Sequence, residues 1–163
     1  MLQTYWVMVV LDVFTRRIIG VGVDGIGVRR MFNSARAKRP LPNYVSTDND
    51  PLFRFYQWLA NLRILGIAEI KSVPFVPQSH PYERLIGTLR REYLDHLFFL
   101  NGIDLEYKLV AYCNYYNEHR CHTGLSGATP NGYETEQAAS PAIFRSYYWT
   151  IHCHCMFHLP VAR

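Results

Sequence analysis

Tyr5-Trp6-Val7-Met8-Val9-Val10-Leu11-Asp12-Val13-Phe14-Thr15-Arg16-Arg17 is the stretch on which the reading of this chain turns. Seven apolar residues run without interruption and stop at a carboxylate. A run of this length without polar alternation suits a strand buried on both faces. An acid at its end is costly unless something offsets its charge. The residues after it read as a tight turn into a second strand over residues 18–23. Asp12 is therefore either a turn residue or a functional acid.

Two further carboxylates lie in comparable places. Asp48 follows the short strand pattern Tyr44-Val45-Ser46-Thr47, and Glu83 opens the helical pattern Glu83-Arg84-Leu85-Ile86-Gly87-Thr88-Leu89-Arg90-Arg91-Glu92-Tyr93-Leu94. Each has an ordinary structural explanation. Asp48 and Asp50 flank Asn49 before Pro51, which is good turn or capping chemistry, and Glu83 is placed to face a helix dipole. Taken together, two strand-end acids and one helix acid suit hard divalent cations, which take oxygen ligands and few carboxylates. The expectation is that Asp12, Asp48 and Glu83 converge at one edge of a mixed sheet.

Basic residues crowd the same region. The first 100 residues hold 13 Lys and Arg against 8 Asp and Glu, whereas residues 101–163 hold 4 against 5. Arg16 and Arg17 follow Asp12, Arg54 follows Asp48, and Arg84, Arg90 and Arg91 follow Glu83. A basic surface around an acidic centre suits an enzyme acting on a polyanion. A merely solvated basic face is the alternative.

Four ordered motifs carry a resemblance. Leu11-Asp12-Val13-Phe14-Thr15-Arg16-Arg17 resembles the first-acid motif of integrase catalytic domains. Thr47-Asp48-Asn49-Asp50-Pro51-Leu52-Phe53 resembles the second. Ser79-His80-Pro81-Tyr82-Glu83-Arg84-Leu85-Ile86-Gly87-Thr88-Leu89 resembles the third, and Tyr115-Tyr116-Asn117-Glu118-His119-Arg120-Cys121-His122-Thr123-Gly124-Leu125 resembles the segment that follows it. The similarity is to bacterial insertion-sequence transposases and retroviral-type integrases, over roughly residues 5–135. It implies an α/β, ribonuclease H-like fold: a mixed central sheet flanked by helices. It also implies catalytic, metal-binding acids at Asp12, Asp48 and Glu83, holding two Mg²⁺ or Mn²⁺ ions. The implied chemistry is 3′-end processing and strand transfer on DNA, with Arg16, Arg17, Arg54, Arg84, Arg90 and Arg91 on phosphates. In a two-metal site one ion activates the attacking oxygen and the other stabilises the leaving oxygen. Neither step needs a side-chain nucleophile, and the sequence has no Gly-x-Ser-x-Gly or Walker-type loop.

Two features depart from the family pattern. Between Asp48 and Glu83 lie 34 residues, one fewer than the resemblance implies. Asp24-Gly25-Ile26-Gly27-Val28 is a poor strand where the fold expects one, because paired glycines favour a turn. Two alternatives stay open: a catalytically inactive transposase remnant that folds, binds nucleic acid or oligomerises, and a nuclease of the same fold acting on RNA–DNA hybrids, which the four motifs disfavour.

Further elements expected are helices over residues 28–37, 52–65, 83–99 and 104–117, the last capped by Asp104, and a strand over residues 69–73. A rigid loop is expected around Pro74, Pro77 and Pro81. The organisation is a core over residues 1–135 and an irregular tail over 136–163. At 163 residues, with 49 % hydrophobic and 18 % charged residues, one folded domain is expected. No apolar run reaches membrane-spanning length and no secretory leader is visible, so the expected location is the bacterial cytoplasm, at the nucleoid. The first strand begins at once, so the expected partners are DNA, a separate or lost helix-turn-helix reader, and further copies of the same chain in a homo-oligomer. Cys113, Cys121, Cys153 and Cys155 are expected as free thiols. His152-Cys153-His154-Cys155 lacks a partner pair of ligand spacing and is assigned no zinc.

Overall fold

The structure, a computed structural model, describes residues 4–24, 27–37, 40–48, 50–72, 81–133 and 147–162. The apolar run forms β1 (Trp6–Leu11), paired antiparallel with β2 (Ile18–Asp24). Three helices follow in the first half of the fold's logic: α1 (Val28–Arg36), α2 (Tyr56–Leu65) and α3 (Pro81–Glu92), with α4 (Gly102–His119) after them. Successive side chains of a strand point to opposite faces, and β1 uses both. Val7, Val9 and Leu11 pack with Leu85, Leu89 and Tyr93 of α3 and Leu105, Leu109, Tyr112 and Tyr116 of α4. Met8 and Val10 pack with Val28, Met31 and Phe32 of α1 and Trp58 and Leu62 of α2. The strand is thus covered by helices on both faces, as its unbroken hydrophobicity requires.

The hairpin carries a bulge. Val10 pairs with Gly20 but Leu11 pairs with Ile18, leaving Ile19 extra on β2. A bulge changes which face later residues meet, and here Ile18 joins the core beneath α3 and α4. On the other face, Gly20 and Gly22 let α1 approach closely. A Cβ on Gly20 would lie 2.7 Å from Ala35 Cβ and 2.8 Å from its backbone, and one on Gly22 would lie 2.7 Å from Met31 Cβ. Asn33 of α1 and Asn61 of α2 exchange side-chain amide bonds of 3.0 and 3.3 Å across the same layer.

A parallel pair, β3 (Tyr44–Thr47) with β4 (Ala68–Lys71), is joined through α2. The left-handed Gly66 (φ 68) ends α2, which is the usual role of glycine after a helix. The expected helix over residues 52–65 is broken. Pro51–Arg54 form a short 3₁₀ turn, Phe55 is extended, and α2 starts at Tyr56. The helix expected to reach residue 99 ends at Glu92, and a 3₁₀ turn at Leu94–His96 follows. Asn101, not Asp104, caps α4, by accepting from Asp104 N at 2.9 Å. Asp104 instead sits in the first turn and takes the Lys108 ammonium at 2.9 Å.

The third strand expected near residues 24–28 does not form among the described residues. β2 ends at Asp24 and Gly27 already caps α1, while residues 25–26 and the loop holding Pro74 and Pro77 lie outside the described residues. Pro81 opens α3, where its missing N–H costs nothing. The tail differs from the irregular segment expected. A 3₁₀ turn (Thr123–Leu125) and a short α5 (Pro130–Tyr133) follow α4, and residues 147–162 form an antiparallel hairpin, β5 (Tyr147–His152) and β6 (Phe157–Ala162). Phe157 stacks on Tyr115 of α4, with ring centroids 4.2 Å apart and planes within 3°. The Cys/His run forms the hairpin tip, where Cys153, His154 and Cys155 all adopt left-handed backbone (φ 50, 56 and 70). Buried Cys153 anchors that tip in the core.

The close approach of α1 predicts the effect of one methyl group. Gly20→Ala should lower stability by about 1–3 kcal/mol, the usual cost of overpacking, because the nearest atoms belong to backbone and Cβ. Urea unfolding monitored by circular dichroism measures it, and unchanged stability would mean that α1 does not sit this close to β2.

Candidate active site

Asp12 lies one residue past the end of β1, and its own turn holds it. Oδ1 accepts from Phe14 N at 2.9 Å, Oδ2 accepts from Thr15 Oγ1 at 2.9 Å, and Asp12 N donates to Arg17 O at 2.9 Å. The turn reading of Asp12 is therefore correct as local structure. It leaves a carboxylate in a fixed orientation, and two accepted bonds do not exhaust about four lone-pair sites. Arg16 takes left-handed backbone (φ 59) within this turn. Phe14, 78 % exposed, stands at its apex.

Asp48 lies one residue past the end of β3 and is half-buried, with Oδ1 accepting from Asp50 N at 3.0 Å. Asp50 turns its own Oδ1 to Leu52 N at 2.8 Å and caps the 3₁₀ turn. Preceding Asp48, Thr47 is buried and donates to Glu69 Oε1 at 2.7 Å. The same oxygen accepts from Trp58 Nε1 at 3.0 Å and faces Lys71 Nζ at 3.3 Å. Burial works against the charge of Glu69, but the bonds from Thr47, Trp58 and Lys71 outweigh it and hold its carboxyl below the ordinary 4.5. This knot ties β3, β4 and α2 together immediately before Asp48.

Glu83 sits in the first turn of α3 and is exposed. Leu85, Leu89 and Tyr93 form the buried stripe of that helix, whereas Ile86, grouped with them by spacing, is 43 % exposed. Glu83, Ile86 and Arg90 therefore share the outward face. A Cβ on Gly87 would meet only the Arg91 guanidinium, at 3.3 Å. Arg54, Arg84, Arg90 and Arg91 are exposed, and Arg16 and Arg17 are half-buried.

β1 and β3, which deliver Asp12 and Asp48, share one core. Val45 packs in the cluster that takes Met8 and Val10. Among the described residues, no three His, Cys, Asp or Glu side chains are gathered closely enough to hold a metal ion. The Cys/His tip forms no such group either. Burial pushes the Cys113 thiol up to about 12 and the Cys153 thiol up to about 11, so both stay protonated at neutral pH.

Residues 71–130 match the family model described as the integrase core domain. That span includes Glu83, α3 and most of the segment after α4, and leaves out Asp12 and Asp48. A 39.2 kDa protein of insertion element IS476 from Xanthomonas euvesicatoria is 29 % identical over 146 residues, covering 84 % of this chain and 42 % of its own length. The transposase for insertion sequence element IS904 from Lactococcus lactis is 28 % identical over 139 residues, covering 80 % of this chain and 55 % of its own length. The chain is similar to integrase core domains over residues 71–130 and to insertion-sequence proteins over most of its length. It spans about half the length of the curated relatives it matches. Among solved structures, the catalytic core domain of BIV integrase aligns with a TM-score of 0.57 at 20 % identity, over 80 % of this chain and 85 % of that one. A simian T-cell lymphotropic virus intasome, solved with the PP2A regulatory subunit B56 gamma, gives 0.64 at 18 %, over 89 % and 55 %. The ribonuclease H-like fold implied by the motifs is therefore the fold of this chain.

Reading the motifs alone gave no role to three residues that the structure makes central. Glu69 forms the knot before Asp48. Asn117, only 8 % exposed, bonds both backbone groups of Ile18. Arg120 pairs bidentately with Glu92, its Nη2 lying 2.9 Å from Oε1. The signal for Asn117 was present in the sequence: an amide inside the helical stretch whose buried face carries Leu105, Leu109, Tyr112 and Tyr116.

His122 packs its ring 4.9 Å from that of Tyr116, and its Nε2 is buried with no hydrogen-bond partner among the described residues. Burial, then the charges of Arg120 and Arg16, pull its pKa below the ordinary 6.5. Burial and then the nearby His152 do the same to His119. A depressed folded pKa means that the stability is complete above 6.5 and is lost as pH falls through the folded value. The melting temperature should therefore drop between about pH 7 and pH 5, and drop less in His122→Phe. A flat profile measured by scanning calorimetry would contradict the buried, neutral imidazole.

Proposed function

We propose that this integrase core catalyses DNA transposition by metal-dependent phosphoryl transfer, comprising 3′-end processing and strand transfer, with Asp12, Asp48 and Glu83 as the catalytic acids. The observation that carries this reading is the placement of two of them. Asp12 and Asp48 each stand one residue beyond a strand, both strands bury side chains in one cluster, and local bonds orient both carboxylates. Glu83 is exposed at the start of a helix that packs on the opposite face of β1.

The donor chemistry fits a hard divalent cation. All three groups are carboxylates with lone pairs left over, which suits Mg²⁺ or Mn²⁺. Two bound ions would supply an activated attacking oxygen and a stabilised leaving oxygen. The chain's own residues hold the acids in orientation and present cations to the phosphates. Arg54, Arg84, Arg90 and Arg91 are free to reach a backbone from the surface, and Arg16 and Arg17 adjoin Asp12. These contacts position DNA without reading its sequence.

The matches span 42 % and 55 % of the two relatives' lengths, which leaves room in such proteins for a helix-turn-helix reader of element ends. DNA, such a reader and further copies of the chain are the partners that this reading assigns. It places the protein in the cytoplasm, at the nucleoid. Among the described residues no helix is long and apolar enough to cross a membrane. Residues 1–135 form the catalytic unit in this reading, and residues 136–163 an appendage whose hairpin packs on α4.

A second reading, an inactive remnant that still folds and binds nucleic acid, has its own observation. No three ligating side chains are gathered among the described residues, and the interval of 34 residues before Glu83 is short.

Strand transfer with a matched element-end oligonucleotide in Mg²⁺ or Mn²⁺ separates the two readings. Joining should occur with the wild type, vanish on chelation, and fall at least ~100-fold in Asp48→Asn, which keeps the shape and loses a hard anionic ligand. Wild-type joining by Asp48→Asn would sink the mechanism. Binding without joining by the wild type would select the remnant. Binding should also weaken steeply with salt, by roughly 0.9 log units in affinity per log unit of salt for each phosphate neutralised, and Arg90→Ala with Arg91→Ala should reduce that slope on all sequences alike.

A further inference from the structure

The end of α4 touches the carriers of two of the three proposed acids, through Asn117 in its last turn and Arg120 just past its last residue. Asn117 donates from Nδ2 to Ile18 O and accepts at Oδ1 from Ile18 N, both at 2.9 Å and both buried. These bonds use all of Ile18's backbone polarity on the open edge of β2. Ile18 follows Arg17, whose carbonyl takes the Asp12 N–H. The Asp12 turn is thus closed on one side by β1 and clamped on the other by Asn117. Immediately past the last residue of α4, Arg120 grips Glu92 with both terminal guanidinium nitrogens. Glu92 is the last residue of α3, whose first turn carries Glu83. A helix is a stiff rod rising about 1.5 Å per residue, so fixing its end fixes the height and direction of its start.

The segment itself is kept rigid. The Arg120 guanidinium lies over the Tyr116 ring at 5.9 Å, and Tyr116 is 5 % exposed. His122 O accepts from Leu125 N at 2.9 Å and Gly127 N at 3.0 Å, and Leu125 is 5 % exposed. The charge of Arg16 reaches both Tyr116 and His122.

We propose that Asn117 and Arg120 are positioning residues: together they form a brace that sets the Asp12 turn and the Glu83 helix in the relative placement needed to share metal. In this role they act through the Ile18 backbone and Glu92, and supply no ligand to the metal. The inference rests on the catalytic reading above and assigns the segment after the third acid a mechanical part in it.

The test uses the full chain. Asn117→Leu removes both bonds at similar volume, and Arg120→Gln removes the bidentate grip. Leu109→Ala, a core change on the same helix, serves as the stability control, with all proteins assayed well below their melting temperatures. Two quantities are read: Mn²⁺ half-saturation, from paramagnetic broadening of the Asp12–Ile18 amides and from strand transfer, and hydrogen exchange of those same amides. Asn117→Leu should raise half-saturation at least tenfold and speed exchange across the Asp12 turn. Arg120→Gln should raise half-saturation without altering that exchange, and Leu109→Ala should do neither. Wild-type metal dependence in both brace variants would overturn the proposal, as would an equal shift in Leu109→Ala. If Asn117→Leu does not fold, Asn117→Ser reads the same quantities. Asp12→Asn separates the levels: unchanged Mn²⁺ broadening in that variant sinks the site assignment and the brace with it, whereas a response in Asp12→Asn with none in Asn117→Leu sinks the brace alone.

Discussion

A strand covered by helices on both faces admits no charge until it leaves the core, and that constraint organises this protein. β1 spends every residue from Val7 to Leu11 on one helical layer or the other. The first carboxylate the chain can place is therefore at the strand's exit, and the backbone must turn there. Asp12 serves that turn and emerges from it with its orientation fixed. The turn and the carboxylate coincide at one residue because a strand covered by helices on both faces leaves no earlier place for a charge.

The two layers are held by different physics. On the α1 and α2 side, missing side chains bring elements close: Gly20 and Gly22 admit Ala35 and Met31, and an amide pair joins the helices. On the α3 and α4 side, aromatic mass fills the space. Tyr93 and Tyr112, both fully buried, stack with centroids 4.9 Å apart, and Tyr93 donates to Lys108 O at 2.8 Å. Burial raises the phenol pKa of both tyrosines far above the ordinary value, so the core stays uncharged. The C-terminal hairpin extends this aromatic layer through Phe157 and His152, with Cys153 driven inward at its left-handed tip.

Hydrophobic pattern made the strands and most helices legible in the sequence, because period and burial are the same information. The motifs made the fold legible. Element ends were harder to read. Asn101 displaced Asp104 as the cap of α4 because Asp104 was drawn to Lys108 and Leu100, a competition that spacing does not reveal. Phe55 broke the expected long helix through its extended backbone. The poor strand pattern after Asp24 agrees with β2 ending there and Gly27 capping α1. The tail hairpin was missed because its Cys/His run reads as a polar irregularity and in fact forms a tip. Of the proposed site, the three acids stood out in the sequence and the bonds around them did not: Glu69, Asn117 and Arg120 act across 22, 99 and 28 residues of chain.

That separation has a consequence for how the protein is made. The amide that closes the edge of Ile18 lies 99 residues later in the chain. While the ribosome is still extending the polypeptide, the first hairpin must wait with its outer strand edge unpaired. An open edge of this kind is a template for pairing with other chains. The nascent chain is thus exposed to aggregation until α4 has been synthesised and docked. Translation pauses or truncations upstream of residue 117 would release a hairpin with nothing to cover it.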